Sequence, residues 1–163
     1  MKNAEDIPGS MDDLYSKPGH LIRRCQQIAV AIFLEETADF GISSVQYAAL
    51  VAIGHNPKID ATRLSQLIAN DRSTVGNVLE RLEQKKLIKR AYDTGDRRIK
   101  KLSLTPSGRQ LVADIEVSVE RAQERILAPL SPDDQLTFME MLNRLVNINN
   151  AHSRAPGSAV ADA

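Results

Sequence analysis

The chain has 163 residues, 42% hydrophobic and 26% charged, and its 21 basic and 21 acidic side chains cancel to a formal net charge of zero. That composition suits one buried core in a single domain. No run reaches the roughly 18 apolar residues of a membrane span, and Glu5, Asp6 and Pro8 stand where a secretory signal would be basic and then apolar, so a cytoplasmic protein without a membrane role is expected. One cysteine, Cys25, and three scattered histidines, His20, His55 and His152, give neither an internal disulfide nor metal-ligand spacing, so no metal or other cofactor is expected.

Residues 1–17 and 151–163 are rich in Gly, Pro, Ser, Ala and Asp, and are expected to be a mobile N-terminal tail and a disordered C-terminal tail. After Pro18 a helix is predicted to about Ala38, with Leu21, Ile28, Ile32 and Leu34 on its apolar stripe. Gly41 breaks it, and Ser43 or Ser44 caps a short, largely buried helix carrying Val45, Ala48, Ala49, Leu50 and Ile53. Asp60 caps a third helix, through Leu64, Leu67 and Ile68, that ends at Asn70; after a tight turn Asp71 caps a fourth, from Arg72 to about Lys86. In the fourth, Val75, Val78, Leu79 and Leu82 bury one face and leave the other polar.

Residues 87–92 and 99–104 flank a charged turn, Asp93 to Arg98, and predict a β-hairpin. Thr105-Pro106 opens a long helix with Leu111, Ile115, Val119, Ala122 and Ile126 on its stripe; Ser131-Pro132 opens a last one with Leu136, Met139, Leu142, Leu145, Val146 and Ile148. The fold class is therefore mainly α with a small β-hairpin.

The neutral net charge hides a lopsided distribution. Residues 72–109 hold eleven basic and four acidic side chains, a local balance of +7 that leaves −7 elsewhere. Two short helices joined by a tight turn and followed by a basic hairpin form a winged helix-turn-helix over residues 43–104, whose fourth helix fits a major groove of double-stranded DNA. With Val75, Leu79 and Leu82 inward, Arg72, Ser73, Thr74, Asn77 and Arg81 are left to reach bases or phosphates, and Gly76 allows close approach of a backbone. At the wing, Asp96, Arg97, Arg98 and Lys100 place cations where a hairpin tip reaches a minor groove or a phosphate. The plainer alternatives, a solvated polar helix face and a turn held by a surface Asp-Arg pair, use the same residues.

Asp71-Arg72-Ser73-Thr74-Val75, Leu79-Glu80-Arg81-Leu82-Glu83, Gly95-Asp96-Arg97-Arg98 and Leu104-Thr105-Pro106-Ser107-Gly108, in this order and spacing, resemble the signature of the MarR (multiple antibiotic resistance regulator) family. The resemblance covers residues 18–150. It implies a homodimer in which residues 18–40 and 105–150 supply dimerisation helices and two lobes read half-sites of a palindromic operator about 10 bp apart. It also implies repression relieved by a small aromatic acid, and Asn77 stands where many relatives carry a basic residue. Independently, the two amphipathic C-terminal helices need a surface to cover their stripes, either a second copy or the protomer's own core.

For the effector, His20, Arg23 and Gln27 fall at i, i+3 and i+7 on the first helix, and Ser44 and Tyr47 begin the second. The run from Pro18 to Arg24 is similar to relatives that control aromatic-acid catabolism, which implies hydroxybenzoate, hydroxynicotinate or an aromatic acyl-CoA. The alternative is that His20 and Arg23 form salt bridges between protomers. Cys25 next to Arg24 raises peroxide sensing as a rival, against its reading as a small buried apolar residue. A winged-helix protein-interaction module that does not bind DNA is the other rival. No catalytic triad order, carboxylate pair, phosphate loop or metal motif is present, and Glu35-Glu36 fits a solvated helix end, so an enzyme is not expected.

Overall fold

The structure, a computed structural model, describes residues 10–92, 95, 98–153 and 155–157. Helix α1 (Met11–Ser16) precedes α2 (Pro18–Glu36), and a 3-10 turn (Ala38–Phe40) ends on Gly41, whose φ of 60° is the left-handed conformation glycine adopts without strain. Then follow α3 (Ser44–His55), β1 (Ile59–Asp60), α4 (Ala61–Leu67), α5 (Arg72–Gln84), β2 (Ile88–Tyr92), β3 (Lys100–Leu104), α6 (Pro106–Leu127) and α7 (Pro132–Asn149).

Local chemistry sets most of these boundaries. Ser43 and Gln46 form a full capping box on α3, and Asp60, Asp71, Thr105 and Ser131 each accept a hydrogen bond from the first turn of the helix they open. Helix α4 stops at Leu67, before the predicted Asn70, because Ala69 takes a φ of 49° and turns the chain into α5.

The hairpin belongs to a three-stranded antiparallel sheet in the order β1-β3-β2, with Leu102 of β3 paired to Ile59 on one side and Arg90 on the other. The short β1 was not predicted. Leu50, Ile53, Leu64, Val75, Leu79, Leu82, Leu102 and Ile115 lie at the centre of the core and tie α3, α4, α5, the sheet and α6 into one unit. Gly108 permits the junction of α6 with that unit, since a Cβ there would lie 2.0 Å from the Leu87 carbonyl oxygen.

Of the two expected tails, residues 1–9, 154 and 158–163 lie outside the described residues, and the described parts carry local structure. Residues 11–16, read as part of a mobile tail, are helical because Ser10 caps the Asp13 amide at 3.1 Å. Beyond residue 150, read as disordered, a 3-10 turn (Asn150–His152) follows α7, and the Asn150 side chain holds the backbone of Gly157 at 2.9 Å in both directions.

The outer helices contrast with the core. Helix α2 buries only Phe33 among its residues and α7 buries none, so Leu21, Ile28 and Leu34 of the one and Leu136, Leu145, Val146 and Ile148 of the other are exposed. Among the described residues no helix is long and apolar enough to cross a membrane, and no cluster of His, Cys, Asp and Glu could hold a metal ion.

Candidate nucleic-acid interface and effector residues

Helix α5 is divided as its sequence period requires. Val75, Val78, Leu79 and Leu82 are buried, whereas Arg72, Ser73, Asn77 and Arg81 are exposed. Thr74 is partly buried, and it is tied to the helix start: its backbone N–H donates to Asp71 at 2.9 Å and its hydroxyl donates to the same carboxylate at 2.6 Å. These bonds hold the Asp71 carboxyl below its ordinary pKa, the Thr74 hydroxyl contributing most. Thr74 is thus first a cap partner, and Ser73, Asn77 and Arg81 form the outward stripe at intervals of four. A Cβ on Gly76 would meet nothing within 4 Å, so the protomer's own packing does not demand glycine there.

Beside α5, a cleft of about 520 Å³ separates α4 from the wing and gathers the cations Arg63, Arg90, Arg98 and Lys100 around Asp60. Lys100 also stands over the Tyr92 ring, 5.6 Å from its centroid, a cation–π contact that steadies the strand ends. Asp96 and Arg97, the other predicted wing residues, lie outside the described residues. Sequence reasoning missed Arg63 and Arg90. Arg90 is half-buried and pairs with Glu83 at 2.9 Å, joining β2 to α5 and so fixing the wing against that helix. The seven-residue separation of that pair spans a turn, which no helix or strand period reveals.

On the opposite side, Arg81 and Lys85 wall a second cleft of about 500 Å³ against Thr37, Ser43 and Gln46. The Lys85 ammonium donates to the Gly41 carbonyl and closes α5 onto the α2–α3 turn.

The five predicted effector residues fall into two groups. His20 is half-buried beside the Tyr15 ring at 5.5 Å, and its Nε2 is shielded from solvent with no hydrogen-bond partner among the described residues. One turn on, Arg23 donates to Gln27 at 3.1 Å on the exposed side of α2. Ser44 and Tyr47 sit at the far end of that helix, where Tyr47 packs on Phe33 with ring centroids 6.1 Å apart. Phe33 is thirteen residues past His20, about 20 Å along the helix axis, so one small molecule cannot bridge both groups within a protomer. The Tyr47 hydroxyl donates to Glu116 at 3.0 Å; burial, then Glu116 and Glu120, push its pKa up to about 12.

Two further expectations are corrected. Glu36 is no solvated helix end: Arg125 and Arg121 reach it from α6 at 2.6 and 3.1 Å, and Arg125 also holds Glu35 at 3.0 Å. Cys25, read as a small buried apolar residue, is exposed on α2.

Residues 42–100 match the model of the MarR family, and the chain is 34% identical, over 87% of its length and 84% of the relative, to the transcriptional regulatory protein described for the hcr operon of Thauera aromatica. The chain belongs to the MarR family. Its fold is shared with the transcriptional regulator PcaV of Streptomyces coelicolor, solved in complex with its natural ligand, at a TM-score of 0.78 and 31% identity over 85% of this chain and 98% of that one. BpsR of Bordetella bronchiseptica, whose DNA binding is regulated by 6-hydroxynicotinic acid, is similar at a TM-score of 0.77 and 29% identity over 85% of this chain and 97% of that one. MarR proteins are DNA-binding transcriptional regulators with a winged helix-turn-helix, not enzymes, and the Asp71-capped α5 with its flanking sheet is that motif here.

Proposed function

We propose that this MarR-family chain is a cytoplasmic, ligand-responsive repressor that binds a palindromic operator as a homodimer and is released by a small aromatic carboxylate of the hydroxybenzoate or hydroxynicotinate type, or by the coenzyme A thioester of such an acid. The observation that carries operator reading is the division of α5: four apolar side chains anchor it while Ser73, Asn77 and Arg81 face outward beside the cationic cleft of the wing. Asn77 reads an adenine edge and Arg81 a guanine edge or phosphate, and each good bidentate base contact discriminates by about 1–3 kcal/mol. The exposed apolar stripes of α2 and α7 supply the dimer interface.

The effector proposal follows from the same arrangement. A carboxylate is recognised by Arg23 and by the His20 Nε2, which has no partner among the described residues. Because His20 and Phe33, on which Tyr47 packs, lie about 20 Å apart along α2, a site using both groups forms between protomers. Two obligate halves also explain how ligand shifts the spacing of the two α5 helices, since a population shift needs different affinities for the two dimer arrangements.

Fluorescence anisotropy on DNA from the chain's own upstream region tests this reading, over a salt series with and without hydroxybenzoate and hydroxynicotinate. Sequence-dependent binding that weakens steeply with salt and is released by one acid is the expected result. Arg23→Ala should keep operator affinity and lose release; loss of affinity instead would make Arg23 structural. Absence of any DNA preference would favour a protein-interaction module. The exposure of Cys25 favours a second reading, peroxide release, which Cys25→Ser tests directly: an unchanged peroxide response removes it.

A further inference from the structure

Helix α7 does not end the ordered chain. After the 3-10 turn, the Ser153 amide donates to the Asn150 carbonyl at 3.0 Å and the Ala155 amide to the Ser153 hydroxyl at 3.1 Å. The chain then returns to Asn150, whose side-chain amide donates to the Gly157 carbonyl and accepts from the Gly157 N–H, both at 2.9 Å. One primary amide thus satisfies both backbone groups of Gly157, as a strand neighbour would. Asn150 and Gly157 are both partly buried, which strengthens such pairing relative to open solvent.

What Gly157 rests on gives this closure a role. A Cβ at Gly157 would lie 3.5 Å from the Ala69 Cβ and 3.8 Å from the Gln66 carbonyl oxygen. Ala69 is the residue of positive φ that turns α4 into α5, two residues before the Asp71 cap. Asn70 stiffens the same turn by donating from its side chain to the Ile68 carbonyl at 2.8 Å and from its backbone to Ser65 at 3.1 Å. The pairing of Asn150 with Gly157 therefore links the end of a helix that buries none of its own residues to the turn between α4 and α5.

We infer that the Asn150–Gly157 pairing is a strap by which α7 fastens the helix-turn-helix turn of its own protomer and sets the attitude of α5 relative to the outer helices. The strap is a physical two-state element: closed, it ties the turn to α7; open, the lobe pivots on its remaining contacts with α6. Each neutral hydrogen bond biases such an equilibrium by only about fivefold, so two of them make a fastening that opens and recloses readily. Its attachment rests on the fold alone. Its consequence rests on the operator-binding reading: a rearrangement of α7 reaches α5 through the strap, and the population of the open form tunes how freely the two α5 helices are spaced.

The test uses the full chain in a Cys25→Ser background. Ala69→Cys and Gly157→Cys are introduced together, because 3.5 Å between the Cβ positions is within the reach of a disulfide. Mild oxidation should form a bond within one chain, seen as loss of both thiols and a reductant-sensitive mobility shift at single-chain mass. Thiols that stay free, or a bond linking two chains, would overturn the inference. Independently, Asn150→Ala should speed amide hydrogen exchange over residues 66–71 by about fivefold or more, with Asn150→Asp, which keeps the bond from the Gly157 N–H and loses the other, falling between. Exchange unchanged in a folded Asn150→Ala protein would equally overturn it.

Discussion

The winged lobe and the outer helices are built from similar proportions of apolar residues and use them oppositely. In the lobe, most period-matched side chains of α3, α4 and α5 point into one core, where Leu50, Leu64 and Leu82 are fully buried; Leu67 of α4 is the exception. In α7 an equally regular stripe faces outward, and Leu136 and Ile148 are 68% and 69% exposed. The lobe is finished within one chain, whereas the apolar face of α7 stays open in the protomer. In the proposed homodimer a second copy supplies its cover.

The sharpest way to break this contrast is at the junction. Gly108→Ala places a Cβ 2.0 Å from the Leu87 carbonyl oxygen, a backbone atom that cannot rotate away, so α6 must shift from the lobe. Its cost should be about 3 kcal/mol or more, at the upper end for overpacking, measured by urea denaturation at fixed protein concentration. Next in size, Leu145→Asp should weaken self-association by more than about tenfold, because a buried leucine contributes about 1.5–3 kcal/mol, while leaving the lobe's helical circular dichroism in place. Sedimentation velocity across a dilution series reads the first part. A variant that loses fold and assembly together would show that α7 supports its own lobe.

A smaller effect is expected at the α6 cap. Thr105 accepts from the Gly108 amide at 3.0 Å and donates to the Lys86 carbonyl at 2.7 Å, so it both opens the helix and ties it to the end of α5. Thr105→Ala should cost about 1 kcal/mol, the typical value of a lost N-cap, visible as a lower urea midpoint with an unchanged slope.

What the sequence reveals follows from the range of each interaction. The caps at Asp60, Asp71, Thr105 and Ser131 are legible because donor and acceptor lie within three residues of each other, and the buried face of α5 is legible because it repeats with the helix. Strand β1 is not legible: Ile59 and Asp60 are extended because Leu102 and Lys101, over forty residues away, pair with them. The closure of Asn150 on Gly157 was hidden under a composition of small and polar residues that elsewhere marks tails. In the candidate sites, the outward stripe of Ser73, Asn77 and Arg81 was readable, but the capture of the Thr74 hydroxyl by Asp71 was not anticipated, and Arg90–Glu83 spans a turn. Helical spacing put His20, Arg23 and Gln27 on one stripe, yet nothing in a single period says where α3 crosses α2. The Phe33–Tyr47 contact decides that, and it separates Ser44 and Tyr47 from the others.

The smallest expected effect concerns a charged junction between the lobe-bearing α6 and the outer α2. Glu36 receives Arg125 at 2.6 Å and Arg121 at 3.1 Å, and these hydrogen bonds, Arg125 first, hold its pKa below the ordinary 4.5. A carboxylate whose folded pKa is depressed stabilises the fold fully above its unfolded value and loses that contribution as pH falls through the folded one. Thermal melts of the wild-type chain and Glu36→Gln should therefore differ at neutral pH, with the wild type higher, and converge as pH drops below 4.5. Added salt should narrow the neutral-pH gap, because the two arginines are substantially exposed. A gap that persists undiminished in acid would mean that Glu36 holds α2 against α6 through shape and neutral hydrogen bonds, and the junction of the two regions would then be insensitive to charge.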